Sequence, residues 1–184
     1  MSRRYGRRFR GRRPQLLRMD TRLISAGSDG RAGAGPSSSP ASNVDGSVVV
    51  FVTTAGDLIG RPTGVPQIVK ARVDGSRSPA VRLASRNPGG GPGNGPSAAP
   101  SLTAGGSWVV FDSEATDVGV TTRREPDTNG VRDAMLATDP SGEHWLLGEV
   151  GARAPTINAM TSPHGNYIVF ERDGHAYLLY VGAK

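Results

Sequence analysis

The chain has 184 residues, 36% of them hydrophobic and 21% charged, with 26 Gly, 14 Pro and no Cys. That length is enough for one domain with a sizeable core; the absence of Cys excludes disulfides and thiolate metal sites, and no apolar run of about 18 residues marks a membrane-spanning helix. The net charge of +6 is local: Arg3, Arg4, Arg7, Arg8, Arg10, Arg12 and Arg13 crowd into residues 1–13 without an acid, and the remainder carries 15 basic against 16 acidic side chains.

Taken in chain order, residues 1–14 read as a disordered Arg-rich tail, since nothing in them can build a core. No apolar segment follows the basic cluster, so neither a secretory signal nor a twin-arginine signal is expected. Tyr5 and Phe9 interleave with the seven arginines, a pattern like that of Arg/Gly-rich nucleic-acid-binding segments, in which guanidinium groups displace counterions and rings stack on bases. The same charges suit an anionic membrane surface, and the ordinary reading is a tail with no selected role.

From residue 15 onward the apolar residues fall into short clusters bounded by Gly, Pro, Ser and Asn, with no long helical period, which predicts an all-β chain with long loops. Three phrases align. Gly46 precedes Val48-Val49-Val50-Phe51, Gly106 precedes Trp108-Val109-Val110-Phe111, and Gly165 precedes Tyr167-Ile168-Val169-Phe170. In each the Gly lies five residues before the Phe, and the phenylalanines are 60 and 59 residues apart. Pro-containing segments precede the Gly turns, and two further strands follow in the first two copies, at 65–73 and 80–84 and at 131–138 and 144–147. Gln15-Leu16-Leu17-Arg18 and Arg22-Leu23-Ile24-Ser25 resemble the last two strands of an earlier copy, and 175–181 is expected as the third strand of a last one. The expected units are 15–25 (partial), 26–85, 86–150 and 151–184 (partial).

A four-stranded antiparallel unit in tandem predicts β-propeller blades. An unbroken apolar run ending in Phe suits a strand buried on both faces. A sandwich or barrel with incidental internal similarity is the alternative. Ser162-Pro163-His164-Gly165-Asn166-Tyr167-Ile168-Val169-Phe170 resembles the core of bacterial TolB-like, WD-repeat-related propeller repeats. The stretch from Phe111 to Asp139, with Ser113, Ala115-Thr116, Asp127-Thr128-Asn129-Gly130 and Asp133, resembles a longer form of the same repeat. The similarity covers residues 15–184; the usual turn Asp survives as Asp45 but is Gly105 and His164 in the other copies. The resemblance implies a protein-interaction scaffold in a periplasmic or secreted setting, although this chain shows no signal. About three blades are too few for a closed ring, so the expectation is an incomplete ring or open arc. It would be a fragment of a longer propeller or would self-associate through open blade edges.

Chemistry is sparse. Asp127, Asn129 and Asp133 place oxygen donors at alternate positions around Gly130, as a Ca²⁺ loop does; the twelfth-position Glu of an EF-hand has no counterpart, and the ordinary reading of the same residues is a hydrogen-bonded blade turn. His144, His164 and His175 share no short spacing. The run from Gly89 to Gly95 lacks the Lys-Ser/Thr of a phosphate loop, and no G-x-S-x-G elbow is present. Some proteins with this type of repeat carry a serine peptidase domain, of which this chain shows no sign. No cofactor other than Ca²⁺ and no catalytic residue is expected. Trp108 and Trp145 are candidate interaction anchors where exposed.

Overall fold

The computed structural model describes residues 20–75, 78–119, 127–139, 143–147 and 154–182. It is all-β apart from one 3-10 turn, Gly56–Ile59. The described strands are β1 (Ser37–Ser42), β2 (Val48–Thr53), β3 (Gln67–Arg72), β4 (Ala80–Leu83), β5 (Ser97–Leu102), β6 (Trp108–Ser113), β7 (Asp133–Thr138), β8 (His144–Leu146), β9 (Thr156–Thr161), β10 (Tyr167–Arg172) and β11 (His175–Tyr180). They form three antiparallel meanders: a first sheet β1-β2-β3-β4, a second β5-β6-β7-β8, and a third, three-stranded sheet β9-β10-β11. No closed barrel forms among the described residues. The TolB-like identity read from the short repeat motifs goes beyond these three sheets.

Local chemistry explains the boundaries. β3 starts at Gln67 because Pro66 has no N–H to give a ladder. Pro40 and Pro100 lie in the first, edge strand of their sheets, at bulges where the register with β2 and β6 shifts, the places in a sheet that tolerate Pro. The residues just before them, Ser39 and Ala99, take positive φ of 49° and 50°, and Asn158 in β9 does the same at 55°. Gly46, Gly106 and Gly165 hold φ of 72°, 69° and 79° in the turns before β2, β6 and β10, a conformation that glycine adopts without a Cβ penalty.

The sheets stack face to face in chain order. Val50, Val52 and Ile68 of the first sheet pack with Val109, Phe111 and Met135 of the second. On the other side of the second sheet, Val110, Ala134 and Leu136 meet Ala159, Ile168 and Phe170 of the third. Each sheet thus has a forward face, carrying the residues before and after the Phe, and a rear face, carrying the Phe itself. The rear face of the first sheet, around Phe51 and Val69, is covered in part by Leu58 and Ile24. Ile24 holds there the place that Ala84, at the end of β4, holds against Phe111. The neighbouring loops repeat as well: Gly33 N–H donates to the Ser25 carbonyl at 3.0 Å, and Gly93 N–H to the Ser85 carbonyl at 3.1 Å.

The expectation of two-sided burial holds for β2 and β6 and fails for β10. Tyr167, Val169 and Glu171 alternate with buried Ile168 and Phe170 and point to solvent, because no fourth sheet covers the forward face of the third among the described residues.

Candidate functional site

Two places differ from the regular stack. The first is the forward face of the third sheet. Cross-strand pairing sets Tyr167 opposite Tyr180, Val169 opposite Leu178, and Glu171 opposite Ala176; Met160 of β9 lies opposite Val169 on the other side. The tyrosine rings sit 5.5 Å apart. Val169 is 44% exposed, Leu178 67% and Tyr180 65%, an apolar row of the kind that marks an interaction surface. The positions that match Val169 in the other sheets, Val50 and Val110, are fully buried.

The covered seams show what such a face receives. Turn glycines of one sheet sit on the first residue of the preceding central strand: a Cβ on Gly106 would lie 2.9 Å from Val48, and one on Gly165 2.8 Å from the Trp108 ring. At the bulge, the Asp112 carboxylate of β6 accepts the N–H of Asn158 at 2.9 Å and that of Ala159 at 3.4 Å. Burial pushes the Asp112 carboxyl above the ordinary aspartate value of 3.8, against the pull of those two N–H groups. In the seam between the first two sheets the matching residues are Val52 and the pair Ala99-Pro100, where Pro100 has no N–H to satisfy. Glu171 occupies the Asp112 position on the open face and is exposed.

The second place is the loop before β7. Asp127 Oδ1 accepts the Asn129 N–H at 3.1 Å, and Asn129 Oδ1 accepts the Val131 N–H at 2.9 Å. The Asn129 amide also donates to Asp133 Oδ2 at 2.6 Å. Both acids are buried, Asp127 at 4% and Asp133 at 1% exposure. Thr156, at the start of β9, donates its N–H to Asp133 Oδ1 at 3.3 Å. Burial raises the Asp133 carboxyl, and the Asp127 charge beside it adds to the rise. The structure therefore brings the three residues read from the sequence together, and adds Thr156. Nothing in the sequence pointed to Thr156, which lies 23 residues beyond Asp133 and reaches the loop only because the third sheet stacks on the second.

The remaining candidates disperse. Arg3, Arg4, Arg7, Arg8, Arg10, Arg12 and Arg13 lie outside the described residues. His144 donates from Nε2 to the Ala84 carbonyl across a seam, His164 sits in the turn before β10, and His175 opens β11; no three His, Cys, Asp or Glu side chains gather among the described residues. Trp108 and Trp145 are half-buried against the cluster of Val110 and Phe170, so they serve the seam between the second and third sheets and are not free anchors. Gly89 to Gly95 form a connector whose turn is closed by Asn87, which takes the Gly91 N–H at 3.0 Å. Among the described residues no helix is long and apolar enough to cross a membrane.

No protein-family model matches the chain, and no curated protein sequence does. Among solved structures it is similar to one from a structural and mechanistic analysis of two prolyl endopeptidases, at 17% sequence identity and a TM-score of 0.43, over 83% of this chain and 23% of that one. The chain thus spans less than a quarter of that structure's length.

Proposed function

We propose that the three sheets are blades of a TolB-like β-propeller segment, and that the chain is a non-catalytic protein-interaction scaffold whose binding surface is the forward face of the third sheet. The observation that carries this reading is the burial series at one position: Val50 and Val110 are covered by the next sheet, and Val169 is open. The occupant is a second copy of the chain, docked head to tail. Ile24 packs on the rear of the first sheet as Ala84, just past β4, packs on that of the second, and among the described residues the third sheet has three strands where the others have four. In the assembly residues 22–25 of one copy would add the fourth strand beside β11 of the other, covering an edge that otherwise invites pairing. Val49 and Leu83, half-buried where the matching Val109 and Leu146 are buried, would close over Val169 and Leu178. Gly46 would sit on Tyr167, and the Ser39 N–H would meet the Glu171 carboxylate.

The test is the mass in solution of the full chain by light scattering and sedimentation. The expected result is a dimer or larger head-to-tail assembly, reduced to monomer by Val169→Lys, at the position that is fully buried as Val50 and Val110 in the other sheets, and separately by Gly46→Asn. Asn tolerates positive φ, and a Cβ at Gly46 has nothing within 4 Å in the single chain, so the second variant should leave the fold intact and obstruct only the docked face. A wild type that stays monomeric at about 100 μM, well above the μM affinity expected of a modest interface, would overturn the reading, as would variants with unchanged mass.

A further inference from the structure

The loop before β7 carries an electrostatic problem that its own hydrogen bonds leave unsolved. Asp127 and Asp133 are two neighbouring carboxylates removed from water. Among the described residues neither forms an ion pair; the adjacent Arg132 turns instead to Glu114, with its Nη2 2.5 Å from Oε1. Asp127 Oδ2 is buried without a hydrogen-bond partner. A second buried oxygen comes from a different sheet: the Thr156 hydroxyl, fully buried on β9, makes no hydrogen bond of ordinary geometry and is turned to Asp133, whose carboxyl it pulls down against the effect of burial. Buried anionic oxygens without a donor or counter-charge are strongly unfavourable. Two poorly satisfied oxygens, one from each side of a seam and both adjoining the Asp133 carboxylate, suit a positive charge held among them.

We infer that this seam binds a hard divalent cation, Ca²⁺, held by Asp127, Asp133 and the Thr156 hydroxyl. The donor set is all oxygen, which disfavours zinc and its preference for His and Cys. It is also irregular, drawn from a short loop and a separate strand, which Ca²⁺ accepts with its flexible coordination and Mg²⁺ with its strict octahedron does not. Asn129 is a positioning residue: its amide holds Asp133 and its carbonyl orders the loop. The ion would tie the second sheet to the third, and this inference stands apart from the docking of a second copy.

The competing solution to the same problem is a proton shared by the two carboxylates, and the experiment separates them. The full chain is stripped with EGTA, and its thermal unfolding is followed with Ca²⁺ or Mg²⁺ added, alongside calorimetric titration with Ca²⁺. For a site with Kd near 10⁻⁴ M, about 10 mM Ca²⁺ should raise Tm by roughly 5–10 °C, Mg²⁺ should do much less, and the stoichiometry should be one ion per chain. Asp127→Asn and Thr156→Val should each weaken Ca²⁺ binding at least about tenfold, the loss of one good ligand. Should Asp127→Asn fail to fold, Tb³⁺ luminescence on the wild type, displaced by Ca²⁺, still decides. A Tm indifferent to Ca²⁺, an absence of displaceable Tb³⁺, or a Thr156→Val variant with wild-type affinity would overturn the proposal.

Discussion

Asp112 carries the main difference between two seams that are otherwise built alike. It faces two backbone N–H groups, those of Asn158 and Ala159, where the residues at the matching positions of the other seam are Val52, Ala99 and a proline. Replacing it with the residue found in the other seam, Asp112→Val, strands both donors and should cost about 2–4 kcal/mol in urea unfolding. Asn158, Ala99 and Ser39 share one backbone conformation, so Ala159→Pro fits the bulge and removes one donor. In the Asp112→Val background it should restore about 1 kcal/mol, a coupling that a double-mutant cycle would read. The charge adds a pH dependence. A folded-state pKa raised from 3.8 means that the native chain holds its proton longer than the unfolded one. The stability linked to Asp112 is thus complete below that ordinary value and is lost as pH rises through the raised one. Unfolding free energy measured in EGTA should fall over that interval, and Asp112→Asn should flatten the fall.

At the scale of elements, the turn glycines are the clearest case of one residue type serving two demands. Gly46, Gly106 and Gly165 all need positive φ, so an alanine at any of them carries a strain of about 1 kcal/mol. Only Gly106 and Gly165 also lie under a side chain of the preceding sheet, Val48 and Trp108. In the monomer, kept apart by Val169→Lys, Gly165→Ala and Gly106→Ala should therefore cost about 1–3 kcal/mol more than Gly46→Ala in thermal or urea unfolding. Equal costs at the three positions would mean that the close approach across the seams adds nothing. The positions of these turns, and of the strands that carry Phe51, Phe111 and Phe170, were legible in the sequence because a Gly turn and an apolar run are local signals, although each strand runs two residues past its Phe. The bulges were not: Pro40 and Pro100 marked them, but Asn158-Ala159 forms the third without a proline. The Asp127–Asp133 loop was legible as turn chemistry, while its fourth member, Thr156, was hidden by sequence distance.

At the scale of the whole molecule, the stack has a direction. Among the described residues each covered forward face takes a rear face, with a partly covered rear face at Phe51 on one side of the row and an open forward face at Val169 on the other. Lys70 shows how polar groups fit the same scheme: at the forward position matched by Leu136 and Leu178, it reaches across to Asp139 of the second sheet at 2.7 Å. That bridge, and the Asp112 contact, make the seams directional as well as apolar, which favours ordered head-to-tail stacking over random aggregation of exposed sheet faces. If assembly follows this direction, Tm should rise with protein concentration for the wild type and not for Val169→Lys, since docking stabilises the folded chain by mass action.

By itself the sequence determined where the chain turns and where it runs extended, and that it does so in a unit of about 60 residues. These features depend on glycine conformation, proline's missing N–H and the spacing of apolar side chains, all of which act within a few residues. The tertiary structure alone decided which of three equivalent faces is buried and which carboxylates lose their water. Val50, Val110 and Val169 are the same residue in the same strand position, and their burial differs because burial is conferred by the neighbouring sheet and not by the strand itself.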